Sequence, residues 1–320
     1  MPVSSALDRI SAALPWRRAP RRGWAGVYSA TQQRVVAAVS YADGGARPSV
    51  TVAPVFDAAD PFAAALQWQQ AQHPQAQTNV LLNSVDYRIV PLETPAVPAA
   101  EARDAMRWQL KGLIDFPPEQ ASIDLLHVPG PTLGAPTRQV FAIATRAETV
   151  RAWMQRCRDA RLALGAIDIP ELAMRNLSVL CAGPLAHAFV HLGLKSTRLV
   201  LVWQHELCAF RQFDVAAYKL DAADADTRAM LIERLAVEIQ RSTDSFSRQF
   251  HGADLRTVWI SAVREADNIS QQLAQLLPQK LEAFRVEDHV ALSSRDPVVD
   301  ADRGLDFTFA IGAALRHVEH

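Results

Sequence analysis

Residues 230–262 read MLIERLAVEIQRSTDSFSRQFHGADLRTVWISA, and the pattern in this stretch decides the fold. Leu231, Leu235, Ile239, Ser242, Phe246 and Phe250 recur at spacings of three and four, which makes one stripe along a long helix. Glu233, Glu238, Arg241 and Arg248 fall largely off that stripe and stay wet. His251 and Gly252 offer a stop, with glycine able to take the left-handed cap. Thr257-Val258-Trp259-Ile260 then reads as a buried strand, too short and too β-branched for a second helix. Burying each large apolar side chain is worth about 1.5–3 kcal/mol. A helix carrying that many belongs to a core, and a long helix feeding a buried strand points to an α/β protein.

A chain of 320 residues is long for one core and suggests two domains. Apolar residues make up 49% and charged residues 21%, as in an ordinary globular protein. A net charge of -1 argues against a nucleic-acid binder, which needs a strongly basic face. No window approaches the ~20 apolar residues of a membrane span, and no secretory segment follows the start. Cys157, Cys181 and Cys208 are far apart and form no CxxC, so reduced thiols in a cytosolic protein are expected rather than a disulfide framework or zinc site.

Outward from the organising helix, residues 6–22 (ALDRISAALPWRRAPRR) place Leu7, Ile10 and Leu14 on one face, followed by Trp16 and four arginines. Two readings stand: a short membrane-surface helix, or a tail, since so short a helix is marginal alone. Two strands over 26–40, a third at 50–53, a helix over 62–72 opened by Asp60-Pro61 and a strand at 80–82 follow. A strand over 85–92, a helix from 98 or 99 to 114 and a strand at 123–126 come next. Ala102, Met106, Leu110 and Leu113 mark that helix's buried side; Trp108 lies off it, either in partner contact or under a neighbouring loop. A strand at 140–144, a helix over 147–161 with Val150, Met154, Cys157 and Leu162 inward, a strand at 164–169 and a helix over 171–180 close the first half. The second half repeats the plan: strands at 188–193, 198–202 and 207–213, the organising helix and its strand, a helix near 271–277 and a strand at 284–286. Residues 306–317 form a last helix.

Three stretches carry a resemblance. These are Glu238-Ile239-Gln240-Arg241-Ser242 with Phe246 and the strand ending near Ser261; the run from Asn83 through Asp86-Tyr87, Pro95, Ala105-Met106-Arg107-Trp108 and Asp115 to Pro117; and Phe309 to Arg316. They resemble the PilM-like family of type IV pilus and type II secretion assemblies, and within it the MshI branch of mannose-sensitive haemagglutinin (MSHA) pilus biogenesis. The resemblance implies an α/β, actin-like (FtsA/PilM-type) fold: two RNase H-like lobes with a small inserted subdomain in the first. It implies a tail at 1–22, lobe 1 at 23–84 and 140–183, the insert at 85–139 and lobe 2 at 184–320. It further implies a cytoplasmic protein peripheral to the inner membrane, serving a PilN-like inner-membrane partner whose N-terminal peptide enters a groove formed with the insert. Tyr87, Pro95, Met106, Arg107 and Trp108 are the partner contacts so implied. Other pilus platform proteins and self-association are further expected partners, with peripheral membrane contact through 6–22.

Nucleotide-binding relatives carry Asp-x-Gly in each of two hairpins and Ser-Gly-Gly on a third loop. Setting Arg34 against the basic residue of the first hairpin puts Val27, Tyr28 and Ser29 at Asp-x-Gly. The second reads His191-Leu192-Gly193 and the third Ser261-Ala262-Val263. A Cβ at Ala262 obstructs close approach to the backbone. At about 1.5–3 kcal/mol per lost charge-assisted contact, ATP affinity falls by about a thousandfold or more. The expectation is a non-catalytic scaffold with no ATP or magnesium cofactor. The alternatives left open are an ATP-binding switch using Lys195 and Ser196, and a GspL-like secretion component. There is no GxxxxGK, GxGxxG, HExxH or GxSxG. His187, His191 and His205 read as neighbours on adjacent strands rather than metal ligands. Asp221, Asp224 and Asp226 read as a solvated loop, and Asp168 as a cap or turn acid before Pro170.

Overall fold

The computed structural model describes residues 23–31, 34–41, 47–54, 56, 58–94, 99–134, 139–293, 299–300 and 305–316. The expected tail at 6–22 and Pro95 lie outside the described residues.

Strands β1 (Trp24–Thr31) and β2 (Arg34–Tyr41) form a hairpin, and β3 (Ser49–Val52) continues the antiparallel run. Helix α1 (Pro61–Gln72) starts where the Asp60 side chain accepts from the Ala63 N–H at 3.1 Å and Pro61 fixes the first turn. The helix crosses the sheet, as a parallel neighbour requires, and β4 (Gln77–Leu81) lies parallel to β1. The chain then leaves this sheet for β5 (Tyr87–Glu93), α2 (Ala99–Gln109), β6 (Ala121–His127) and β7 (Gln139–Arg146). Helix α3 (Ala147–Asp159) brings it back to β8 (Leu164–Asp168), parallel to β4, and α4 (Pro170–Ala182) leads on.

The second half has the same order. Strands β9 (His187–Leu192), β10 (Thr197–Trp203) and β11 (Glu206–Phe213) are antiparallel. After α5 (Ala217–Ala222) and α6 (Ala225–Gln249), β12 (Thr257–Ala262) runs parallel to β9; α7 (Ala266–Ala274) leads to β13 (Lys280–Ala283), parallel to β12. Each sheet therefore holds three antiparallel strands and then two parallel ones, in the orders β3-β2-β1-β4-β8 and β11-β10-β9-β12-β13. After α8 (Val286–His289), β14 (Ala291–Leu292) pairs with β3 of the first sheet; β15 (Val299–Asp300) and β16 (Leu305–Asp306) precede α9 (Thr308–Ala314).

Several expectations shift. β7 is the middle strand of a separate β5-β7-β6 sheet, so the inserted layer extends past the expected boundary at 139/140; its hydrogen bonds go to β5 and β6. The organising helix starts earlier than its stripe, because Asp224 accepts from Thr227 N at 2.7 Å and caps it. Asp226 is thus helical and Asp221 pairs with Arg264, so these acids are not one solvated loop. The helix ends on Phe250, whose N–H reaches Phe246 O, without a left-handed Gly252. The last strand of the second sheet is Lys280–Ala283 rather than 284–286, and the helix before it lies at 266–274 rather than 271–277. Leu113, beyond the end of α2, is 53% exposed instead of inward, and Met154 is 43% exposed.

Helix α9 does not stay with the second sheet. It packs on β1, β2 and α4, with all seven residues buried. Two glycines allow this. A Cβ on Gly26 would lie 1.9 Å from Ala310 O, and one on Gly312 would lie 2.3 Å from Ala173 O. A buried helix C-terminus leaves carbonyls that need donors. Asn176 Nδ2 donates to Gly312 O, Asn79 Nδ2 to Ala313 O (2.9 Å each) and Ser40 Oγ to Ala314 O (2.5 Å).

Candidate functional site

The doubled sheets put a cleft between their hairpins and a groove beside the inserted sheet. In the cleft, β9 and β12 end side by side with His191 and Ser261 as register partners. The buried His191 imidazole bridges Ser261 Oγ (3.0 Å from Nδ1) and Asp306 Oδ2 (2.7 Å from Nε2). Nε2–H donates to the carboxylate, and Nδ1 shares one hydrogen with the serine hydroxyl. Asp306 Oδ1 accepts from Thr308 N at 2.9 Å, so both carboxylate oxygens are engaged. Burial alone would push the Asp306 carboxyl up, yet His191 and the hydrogen bonds from His191 and Thr308 hold it below the ordinary carboxylate range.

Phe309, the next residue after Thr308, projects its ring between the halves. It meets Tyr28 edge-on at 5.2 Å and His191 at 4.9 Å, and the Arg198 guanidinium sits 5.3 Å over it. Sequence reading missed Asp306, Phe309 and Arg198 as cleft residues; the local signal was an acid two positions before a terminal helix, the spacing of a cap.

The residues read as remnants of a nucleotide cradle fall as follows. Val27 is fully buried in the core with Leu66 and Val80, pointing away from the cleft, while Tyr28 faces it. Ser29 is half-buried opposite Val35, and Arg34 pairs with Thr31 at the hairpin end. Gly193 N donates to Ser196 O at 3.1 Å, closing a tight turn. Ala262 lines a neighbouring cleft of about 370 Å3 with Arg264, Glu265 and Asp267. These residues do not fit a magnesium nucleotide. His191 is committed at both nitrogens, the Asp306 carboxylate beside it is engaged by that ring and by Thr308 N, and the Phe309 ring stands in the gap.

Other candidate chemistry is absorbed into structure. His187 lies at the far end of β9 from His191, hydrogen-bonded to Leu185 O at 2.7 Å, with burial lowering it to about 4. Among the described residues no group of three metal-ligating side chains converges. Burial pushes the Cys157 and Cys181 thiols up to about 11 and about 12, away from reactive thiolates. Asp168 is not the cap of α4, whose N-cap position is Ile169 with no side-chain cap; as a turn acid it accepts from Ile169 N and from Arg316 Nη1.

The groove lies between β6, the edge of the inserted sheet, and β8, the edge of the first sheet. It has a volume of about 540 Å3. Leu125, Leu126 and Ile143 form one wall, Leu164 to Ile169 the other, and Val150 and Met154 of α3 the floor, with Asp168 and Arg316 at one end. The expected partner contacts are not gathered there. Tyr87 is buried and donates to Glu171 Oε2 at 2.6 Å, with burial first and Glu171 second raising it well above its ordinary value. Met106 is buried under α2, and Arg107 Nη1 donates to Pro118 O and Ala121 O at 2.8 Å each, tying α2 to β6. Tyr87 and Met106 are therefore core residues and Arg107 a strut of the insert. Trp108 is 64% exposed but does not line the groove.

No protein-family model and no curated protein matches the chain. Among solved structures, the chain is similar to one described as "PilM-PilN type IV pilus biogenesis complex". The TM-score is 0.65 and the identity 19%, over 94% of this chain and 100% of that one. It is also similar to the cytoplasmic domain of EpsL, an inner-membrane component of the type II secretion system of Vibrio cholerae. There the TM-score is 0.50 and the identity 13%, over 92% of this chain and 94% of that one. With the duplicated strand order and the layer inserted after β4, these likenesses establish that the chain has an actin-like fold, two RNase H-like lobes with a small subdomain in the first.

Proposed function

We propose that the protein is a non-catalytic actin-fold scaffold of a type IV pilus assembly platform of the MSHA type. In this role the groove between β6 and β8 takes an extended cytoplasmic segment of a PilN-like inner-membrane protein. The observation that carries the reading is two strand edges, unpaired among the described residues, that line one groove with Val150 and Met154 between them. An uncovered edge is an association hazard that proteins manage by pairing or covering it. An extended peptide in such a slot gains main-chain hydrogen bonds from an edge strand and places alternate side chains on Val150 and Met154. The likeness to a PilM solved with PilN favours a partner of that kind. The partner would hold the scaffold at the cytoplasmic side of the membrane; among the described residues no helix is long and apolar enough to cross one. The likeness to EpsL supports a second reading, a component of a secretion platform.

The test is titration of the full chain with a synthetic peptide from the cytoplasmic N-terminus of a PilN-like protein. Saturable binding that is lost in Met154→Glu supports the groove; binding that ignores substitutions there removes it. Labelled ATP with magnesium tests the other half of the proposal, since micromolar binding would make the protein a nucleotide switch.

A further inference from the structure

Strands β1, β4 and β8 run parallel and start at one end of the first sheet, with Trp24 level with Gln77 and Thr78 level with Leu164. The cleft with Tyr28 lies towards their other end. We propose that the starting end of this sheet is a contact face for an anionic phospholipid bilayer, made by Arg158 and Arg161 together with residues 6–22. This face is separate from the cleft, and its binding to lipid does not require that the groove takes a peptide.

Charge and point of attachment carry the assignment. Residues 1–22 hold five arginines and one aspartate, a net +4 in a chain whose total is -1, which leaves -5 on the remainder. Leu7, Ile10 and Leu14 recur at helical spacing, and Trp16 with Arg17, Arg18, Arg21 and Arg22 follows them. An apolar stripe with tryptophan and arginine beside it suits the boundary between lipid headgroups and acyl chains. A nucleic acid would use the arginines and leave the apolar residues without a partner. The segment joins the fold at Gly23, whose carbonyl accepts from Gln77 N at 2.9 Å, so it emerges at the starting end of the sheet.

Helix α3 ends on the same side. Leu162 N donates to Cys157 O at 2.9 Å and Thr78 N to Ala163 O at 2.7 Å, which fixes the end of α3 against the start of β4. Arg158 and Arg161 are exposed there, and among the described residues neither forms an ion pair. Arg158 Nη2 donates to Gln155 Oε1 at 2.8 Å, and the neighbouring acid, Asp159, accepts from Gln155 Nε2 at 2.7 Å. Arg161 has a φ of 57°, in the left-handed region where a helix end favours glycine. An arginine at this position keeps a cation at the helix end where glycine would suit the backbone better.

The face also orients the groove. Leu164, at this end of β8, lines it, and Asp168 and Arg316 stand at its far end. On the peptide reading given above, a partner segment that passes Leu164 leaves the groove towards the bilayer that holds the partner.

Vesicle co-sedimentation of the full chain tests the face, with phosphatidylglycerol and phosphatidylethanolamine in equal parts against phosphatidylcholine alone. Binding to the anionic vesicles is expected in about 0.1 M potassium chloride, and it weakens as added salt shortens the Debye length from about 10 Å. One arginine at an anionic surface is worth roughly fivefold in affinity. Arg17→Glu with Arg18→Glu is therefore expected to weaken binding at least about twenty-five-fold, and Arg158→Glu at least about fivefold. Arg161→Gly is expected to weaken it about fivefold with a melting temperature no lower than wild type, which separates lost contact from unfolding. No sedimentation with the anionic vesicles, equal sedimentation with phosphatidylcholine, or tighter binding to duplex DNA than to vesicles overturns the proposal. Wild-type binding by both Arg158→Glu and Arg161→Gly overturns it too, because the segment would then act without the lobe. Vesicle binding without peptide binding removes the groove reading and leaves this one.

Discussion

His191 Nε2 and Asp306 Oδ2 lie 2.7 Å apart at the point where the two lobes meet, and the pair ties the end of β9 to the strand before the terminal helix. A charged acid at this depth is tolerated because the imidazole and a backbone N–H share its oxygens.

His191→Ala removes one partner and leaves the Asp306 carboxylate buried. A loss of about 3–5 kcal/mol in urea-induced unfolding at neutral pH is expected. His191→Asp, which rebuilds the acid of a nucleotide hairpin, sets two carboxylates against each other. It is expected to destabilise at least as much and to gain no magnesium ATP binding. A His191→Asp protein that binds ATP would show the cradle is only one residue from function.

Gly26→Ala tests the seat of α9. The added methyl would stand 1.9 Å from Ala310 O, a backbone atom that cannot rotate away. Overpacking of this kind costs about 1–3 kcal/mol or more, and the expected result is a lowered melting temperature with α9 displaced. Gly312→Ala, facing Ala173 O, should behave alike. A wild-type melting curve for either would mean α9 does not lie on β1 and α4.

Groove and exposed tryptophan are separable. Met154→Glu places a charge on the groove floor and is expected to weaken peptide binding at least about tenfold with little change in stability, since Met154 is partly exposed already. Trp108→Ala is expected to leave groove binding unchanged. The reverse pattern in a titration would move the interface to the outer face of α2.

His187 gives an acid-sensitive contribution. Its folded pKa of about 4 lies below the ordinary 6.5, so the unfolded chain binds the extra proton between these values. Stability is expected to be unaffected by this group above about pH 6.5 and to fall as pH drops towards 4, by roughly 3 kcal/mol at most. His187→Gln should flatten that part of a pH–stability curve measured by denaturant unfolding. An unchanged slope would assign the acid loss to other groups.

Much of the architecture was legible because it rests on local periodicity. The stripe from Leu235 to Phe246 needs no partner to be read as buried, and Asp60-Pro61 marks a helix start by cap chemistry alone. The duplicated order of strands and helices was legible too. Where the reading slipped, long-range hydrogen bonds had decided. The strand at 139–146 has the same apolar pattern whether it joins β8 or β5, and only pairing shows that it belongs to the insert. Met106 is core and Trp108 exposed, as the stripe on that helix has them, but periodicity did not show that burial takes Met106 out of reach of a partner.

The sequence by itself determined the elements and the α/β class, because these follow from side-chain spacing and backbone preference within a few residues. Only the tertiary structure decided what fills the cleft and where a groove opens. Asp306 meets His191, Phe309 meets Tyr28, and β6 faces β8 across distances in sequence that no local pattern spans. Such contacts are set by which carbonyls and edges remain unpaired once the sheets have formed, and that is a property of the assembled chain.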